Sequence, residues 1–290
     1  MPVSTKELWE QAGAAAKATL AGQHRAGQTT DETHPADDDF VPPVTSVKLP
    51  SRGVVYPPES PLFCAESVDV KAVTAKEENI LASPALIRKG TVLTTLMRAC
   101  ITNRSVDPDQ MLVGDRNAIL TAIRISAYGP RYAARVTCPE CREEAEHDFD
   151  LSRLPLRTLE EEPAEGPGTN AFAFRLPTSG WPVRFRLMDA ASAARLDREI
   201  EAVRKKTGQE QAITLALTAQ VISLKGVTDP ARLARGISSM PAADSRALRL
   251  HMDRIAPGVD MTQEYECRSC GKSSEVEIPV GTEFFWPTKV

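Results

Sequence analysis

The sequence has few aromatic residues, no long apolar run and no excess of basic side chains. No window approaches the roughly 18 uninterrupted apolar residues that a transmembrane helix needs. The N-terminus lacks the basic segment and apolar core of a secretion signal. The 39 acidic and 35 basic side chains give a net charge of −4, which disfavours binding to nucleic-acid phosphates. These absences predict an intracellular protein without a membrane segment.

The sequence motifs of common enzymes are also missing. There is no Gly-rich phosphate loop, no nucleophile elbow and no HExxH sequence. The four histidines are scattered, and the runs of glutamate are more typical of solvated surfaces than of catalytic pairs. We therefore expect no enzymatic activity, no catalytic residue and no small-molecule substrate.

Four of the six cysteines form two CxxC pairs, Cys138-Pro-Glu-Cys141 and Cys267-Arg-Ser-Cys270. A CxxC at the tip of a β-hairpin is a zinc knuckle, because the turn directs two thiolates at one ion. Two knuckles complete a tetrahedral set with no open position for a catalytic water. We therefore predict that Cys138, Cys141, Cys267 and Cys270 hold one structural zinc ion, whose binding contributes directly to folding.

Other interpretations of the cysteines stay open at this point. The pairs could form two local disulfides in an oxidising setting, or a thioredoxin-like redox pair, although Cys138 does not open a helix that would lower its pKa. Zinc ribbons also bind nucleic acids, but neither CxxC pair lies beside a strongly basic or aromatic surface. Cys64 and Cys100 stand alone in apolar surroundings and are interpreted as small buried residues.

The chain divides into four predicted segments. Residues 1–46 form a flexible or extended N-terminal arm with a short alanine-rich helix, and residues 159–170 form an acidic linker rich in Pro and Gly. Between and after them lie two helical units, 47–158 and 171–290, each with one CxxC. At 290 residues the chain is long enough for about two domains.

Local patterns predict the main helices and strands. Alternation predicts strands at 68–73, at 171–176 and at 183–187, the last two as a hairpin. A capping box of Thr74 and Glu77 predicts a helix over 74–82. Further helices are expected at 92–101, from Asp189 onward, over 211–224, at 115–127 and at 244–256, the last two with Asp115 and Asp244 as N-caps.

The two halves of the chain are similar to each other at a shift of 129 residues. The shift aligns Asp115 with Asp244, Gly129 with Gly258, and both cysteines of one pair with those of the other. It predicts that 115–151 and 244–280 superpose as helix, strand, knuckle and strand. The predicted fold is thus α+β, with internally duplicated helical units, each followed by a β-hairpin zinc knuckle, and an extended N-terminal tail.

Two apolar segments have no obvious local partner. Residues 49–56 are predicted to be extended and end in Val54, Val55 and Tyr56, while Phe284, Phe285 and Trp286 precede a proline. Each must pack either on the core of this chain or on another subunit. Aromatic side chains are frequent anchors of protein interfaces, so both alternatives stay open.

The chain contains five short elements in this order: Leu49-Pro50-Ser51-Arg52-Gly53-Val54-Val55-Tyr56, Thr74-Ala75-Lys76-Glu77-Glu78-Asn79-Ile80-Leu81, Leu112-Val113-Gly114-Asp115-Arg116, Tyr128-Gly129-Pro130-Arg131-Tyr132 and Phe284-Phe285-Trp286-Pro287. With these elements the sequence resembles the baseplate hub subunits of contractile-tailed, T-even-type bacteriophages. The resemblance covers about 47–151 and, more loosely, the C-terminal third.

The resemblance implies a structural protein of the virion tail, close to the hub or wedges of the baseplate and assembled in the bacterial host cytoplasm. Its expected partners are other tail baseplate and hub proteins, with neither nucleic acid nor a membrane among them. The resemblance carries over no catalytic residues. Two alternatives remain: a tail-assembly factor absent from the mature particle, and a zinc-ribbon nucleic-acid-binding protein.

Overall fold

The structure, a computed structural model, describes residues 40–278 and 282–285. The described chain contains eight α-helices and five small antiparallel sheets, which confirms the α+β class. The alanine-rich helix predicted in the N-terminal arm and the aromatic residue Trp286 lie outside the described residues.

The first part of the chain begins with a two-stranded sheet, continues through four helices and ends in a hairpin. Strand β1 pairs with β2 so that Val47 lies opposite Val68, and both side chains are buried. The elements are β1 Val44–Lys48, β2 Ser67–Lys71, α1 Ala75–Leu81, α2 Pro84–Lys89, α3 Val92–Cys100, α4 Val113–Tyr128, β3 Arg131–Thr137 and β4 Glu144–Asp150.

The second part also runs from a sheet through helices to a hairpin, but its sheet has three strands, and a longer helix lies in the chain between the second and third of them. The elements are β6 Phe172–Arg175, β7 Pro182–Phe185, α5 Ala190–Thr207, α6 Ala212–Gln220, β8 Val221–Leu224, α7 Pro230–Ser238, α8 Ala242–Ile255, β10 Thr262–Glu266 and β11 Ser273–Glu277. Two short strands, β5 Leu156–Arg157 and β9 Gly258–Val259, pair with each other and join the two parts.

Two of the predicted helix starts are confirmed by their caps. The capping box of Thr74 and Glu77 is present, and the Thr74 N–H donates to the Glu77 carboxylate at 3.1 Å. Asp189 caps α5 by accepting from the Ser192 N–H at 2.6 Å. Each cap satisfies an N–H group that the first helical turn leaves without an intrahelical partner.

The two other predicted caps are wrong. Asp115 and Asp244 lie at the third position of α4 and α8, and both residues are fully buried. Asp115 accepts from the Ser51 N–H at 2.9 Å and from the Tyr56 hydroxyl at 2.6 Å. Asp244 accepts from the N–H groups of Thr178 and Ser179 at 2.7 and 3.0 Å. Each carboxylate binds a distant turn instead of the N–H groups of its own helix.

The predicted helix over 211–224 is wrong in its last four residues. The helix ends at Gln220, and Val221–Leu224 is strand β8, antiparallel to β7. Helix α7 is an element that the sequence patterns did not predict. Asp229 caps α7 by accepting from the Arg232 N–H at 2.9 Å, and Pro230 occupies the first helical position.

One connected cluster of buried apolar residues runs through both parts. Val55 and Tyr56 belong to it, as do Phe284 and Phe285. The Arg124 guanidinium is also buried and donates to the carbonyl oxygen of Phe284 at 2.8 Å. The described residues of the two apolar segments therefore pack on the core of this chain, which confirms the first of the two alternatives for them.

Candidate metal centre

Each CxxC lies in the turn of a two-stranded hairpin that follows a long helix. In the first hairpin the Cys138 N–H donates to the Glu143 carbonyl at 2.9 Å, and in the second the Cys267 N–H donates to the Lys272 carbonyl at 3.0 Å. The turns share a left-handed residue after the second cysteine, with φ of 62° at Arg142 and 67° at Gly271. Only glycine adopts this conformation without a steric cost, so the turn at Arg142 is the more strained of the two.

The two hairpins bring the four cysteines of both pairs together. Their sulfur atoms all lie within 4.8 Å of one another. Between the hairpins, the sulfur atoms of Cys138 and Cys270 lie 3.9 Å apart, and those of Cys141 and Cys267 lie 3.7 Å apart. A tetrahedral zinc ion with Zn–S bonds of about 2.3 Å requires sulfur–sulfur distances of about 3.8 Å. The four free thiols thus have the spacing of a zinc site, and not the roughly 2.05 Å of a disulfide.

Backbone N–H groups and neighbouring thiols make the four sulfurs unequal. The N–H groups of Cys270 and Ser269 stabilise the Cys267 thiolate and lower its pKa to about 6. The N–H of Glu143 acts in the same direction on Cys141, but burial and hydrogen bonds with the other three thiols raise its pKa to about 12. Four adjacent thiolates repel one another, so a divalent cation is the natural partner for the fully ionised set.

A buried hydroxyl beside the cluster also fits a bound metal. Tyr265 is 1% exposed, and its hydroxyl makes no hydrogen bond of ordinary geometry with the described residues. Tyr265 lies on strand β10 and Cys267 directly follows the end of that strand, and both side chains are buried whereas Glu266 between them is exposed, so they lie on the same face. The hydroxyl interacts electrostatically with Cys267. A metal-bound thiolate at Cys267 is an acceptor for this hydroxyl, as expected for the outer shell of a metal site.

An ion pair joins the tips of the two hairpins. The Lys272 ammonium donates to the Glu140 carboxylate at 2.5 Å. This pair raises the pKa of Lys272, and the nearby thiols of Cys270 and Cys138 add to the effect. Both side chains are more than 45% exposed, so the pair orients the tips but contributes little stability.

The other histidine and cysteine side chains of the described residues are not part of the four-cysteine cluster. His147 packs against the rings of Phe149 and Tyr265. The ring of His251 stacks on that of Phe174, with 4.4 Å between the ring centroids. Cys100 is buried as predicted, and burial raises its pKa to about 12. The prediction that Cys64 is buried is wrong, because Cys64 is exposed and lies in a turn with a φ of 51°.

No helix in the described ranges has the length and apolarity that crossing a membrane requires. A family model described as "T4 bacteriophage base plate protein" matches residues 43–286. No curated protein and no solved structure matches the chain. The family match covers both parts of the fold and both CxxC hairpins.

Proposed function

Because the chain belongs to the T4 bacteriophage base plate protein family, we propose that it is a structural subunit close to the hub of the base plate. The family match carries this proposal and implies a place in the virion tail, among other base plate proteins. The position near the hub is supported by the order of short motifs that begins at 49–56. We propose that the chain acts as a scaffold with several interfaces, is assembled in the host cytoplasm and catalyses no reaction.

The proposed metal is a structural zinc ion with Cys138, Cys141, Cys267 and Cys270 as ligands. The separations of 3.7 and 3.9 Å between thiols of different hairpins support this proposal. When bound, the ion neutralises the thiolates and ties the two hairpins together. Since four thiolates fill its coordination sphere, the site has no position for a substrate.

The two parts of the chain are proposed to be repeats of one ancestral unit. Helices α4 and α8 begin 129 residues apart, at Val113 and Ala242. The hairpin strands β4 and β11 also begin 129 residues apart, at Glu144 and Ser273. The same spacing relates Arg142 to Gly271, the two left-handed residues of the turns.

Each part also contains a contact between a buried aspartate and the turn that follows the first strand of its sheet, and this second similarity lengthens the proposed repeat. The sequence Leu-Pro-x-x-Gly occurs at 49–53, after β1, and at 176–180, after β6. The buried Asp115 binds the N–H of Ser51 in the first turn, and the buried Asp244 binds the N–H of Ser179 in the second. The proposed repeat therefore includes a sheet, its turn, the aspartate that binds the turn and the hairpin with the thiols.

Analysis of purified particles tests the proposed role. The chain should be found in intact virions at a fixed ratio to other base plate proteins, and antibodies should label the end of the tail. A chain that is needed for tail formation, but is missing from finished particles, would instead be an assembly factor. Tails that form normally without the gene product would contradict both roles.

A further inference from the structure

The long helix α5 carries a coiled-coil seam that this chain covers only in part. Ala193, Leu196, Ile200, Val203 and Thr207 recur at alternating spacings of three and four residues. This is the a/d pattern of a heptad repeat, which forms a narrow apolar seam along one face of a helix. The side chains of Leu196, Ile200 and Val203 are only half-buried.

The neighbouring helix of the same chain is too short to cover the seam. Helix α6 has 9 residues against the 18 of α5. Ile213 of α6 is itself half exposed. The only buried side chains of α5 are Ala190 and Ser192, both in its first turn. Most of α5 therefore extends beyond the core with its seam open to a further helix.

The charges beside the seam change sign along the helix. The e and g positions of the first heptad are Asp197 and Glu199, and those of the second are Arg204 and Lys206. All four residues are exposed. Charges at e and g positions determine which helix pairs with which, and in which direction. A parallel pair of α5 helices brings only Glu199 beside Arg204 and leaves Asp197 and Lys206 without a charged partner, whereas an antiparallel pair places both acidic residues beside basic ones.

We propose that α5 is the docking surface for a second copy of this chain, whose α5 packs against it in antiparallel orientation. The charges also select the register. When Ile200 of one copy faces Val203 of the other, Asp197 lies beside Arg204 and Glu199 lies beside Lys206. When the helices slide so that Leu196 faces Ile200, Asp197 meets Asp197 and Glu199 meets Glu199. The first register is therefore the favoured one.

The interface has twofold symmetry and is small. Each copy contributes the same surface, so the contact closes on itself and produces a dimer instead of a filament. About two heptads per helix bury less than a standard interface of about 1,600 Å², so we expect a dissociation constant on the order of micromolar. This inference is independent of the family assignment, because it depends only on α5 and α6.

Sedimentation of the full-length protein over a wide concentration range tests the dimer. The wild-type chain of 31.6 kDa should approach twice that mass at high concentration, and salt should weaken the association. A chain that is still monomeric at about 100 micromolar, well above the expected dissociation constant, would overturn the proposal. The seam would then be the docking surface for a different protein.

Charge-reversed variants test the charge pairing without changing the apolar seam, and Asp197→Lys alone tests the orientation, because Asp197 lies beside a charged residue only in the antiparallel pair. The Asp197→Lys/Glu199→Lys variant makes both heptads basic, and the Arg204→Glu/Lys206→Glu variant makes both acidic. Each alone should dimerise at least about tenfold more weakly than wild type, because attraction becomes repulsion at every flanking pair. A mixture of the two should form a heterodimer, and the fourfold variant should recover the wild-type affinity. Circular dichroism checks that each variant is folded.

Variants that dimerise as strongly as wild type would overturn the antiparallel arrangement, and so would a fourfold variant that does not recover affinity. Ala202→Lys serves as a matched control, because this exposed position lies outside the a, d, e and g positions. Its affinity should equal that of the wild type.

Discussion

Single buried carboxylates join separate elements of this fold. Glu77 connects strand β2 to helix α1, since it belongs to the capping box of the helix and also accepts from the Lys71 ammonium at 2.8 Å. Burial raises its pKa, but hydrogen bonds from Lys71 and Thr74 outweigh burial and lower it to about 2. The charged form is therefore the one that the folded chain stabilises.

Replacement of Glu77 by Gln should reduce the free energy of unfolding at pH 7 by roughly 1–3 kcal/mol, because it removes a buried charge-assisted hydrogen bond. The depressed pKa means that this contribution is complete above about pH 4.5 and is lost as the pH falls toward about 2. Urea titrations at several pH values measure the difference between the variant and the wild type. The exposed Glu59→Gln is the control and should leave stability unchanged. A difference that stays constant down to pH 2 would contradict the argument.

Tyr265→Phe should weaken metal binding about tenfold, since outer-shell hydrogen bonds commonly contribute that much to a metal site. Competition with a chromogenic chelator measures the affinity, and the cobalt-substituted protein should show a shifted thiolate charge-transfer band. Tyr128→Phe is the control, because its ring lies against Arg124 and not against the thiols. Equal metal affinities of Tyr265→Phe and wild type would show that the hydroxyl does not contribute to metal binding.

At the scale of elements, the two hairpins depend on each other through the thiols. Metal analysis of protein purified without chelator should give about one zinc per chain. Cys141→Ser should lose the metal and increase amide exchange in β3, β4, β10 and β11, while α3 in the core stays protected. Cys64→Ser, at an exposed cysteine outside the cluster, should keep the metal. Metal-free protein with intact disulfides in both CxxC pairs would contradict the zinc site.

The sequence predicted those elements whose determinants are local. Two CxxC turns and a capping box each need only a few neighbouring residues, and the structure contains them as expected. The thiol cluster itself could be anticipated because closed zinc sites require four ligands. Strand β8 could not be predicted from the sequence, because its residues continue an apolar helical pattern. They form a strand only by pairing with β7.

The roles of Asp115 and Asp244 were also beyond local rules. An aspartate before an apolar helix is typical of an N-cap, and only the tertiary structure supplies the turns to which these carboxylates bind. The repeated Leu-Pro-x-x-Gly sequence was the available indication, since it precedes each aspartate by a similar distance. Cys64 shows that apolar neighbours in sequence do not predict burial, because they do not cover this residue in the folded chain.

At the scale of the whole molecule, the predicted boundaries at 47–158, 159–170 and 171–290 stay a prediction. The contacts of the linker indicate how to test them. Leu159 is 1% exposed and its N–H donates to the Pro50 carbonyl, while β5 pairs with β9 across the two parts. The continuous apolar cluster also includes residues of both parts.

A protease site inserted at Gly166 should give a nicked protein whose fragments stay together. Gly166 lies in a turn with open space around its Cα, so the insertion should be tolerated. The fragments should elute as one species from size-exclusion chromatography and separate only in denaturant, because they share one core. Separation in native buffer would show that the two parts are independent domains. A site inserted at Gly208, after α5, is the control for the cleavage itself.

The contact between Arg124 and Phe284 joins residues that are 160 positions apart. During translation, the helix that carries Arg124 leaves the ribosome long before the segment that accepts its hydrogen bond. The first part therefore cannot complete its core as it emerges, and chaperones meet it with buried positions still open to water. A product terminated before Phe284 lacks this closing contact. We expect cellular proteases to degrade such a product faster than the full-length chain, which a pulse-chase measurement would show.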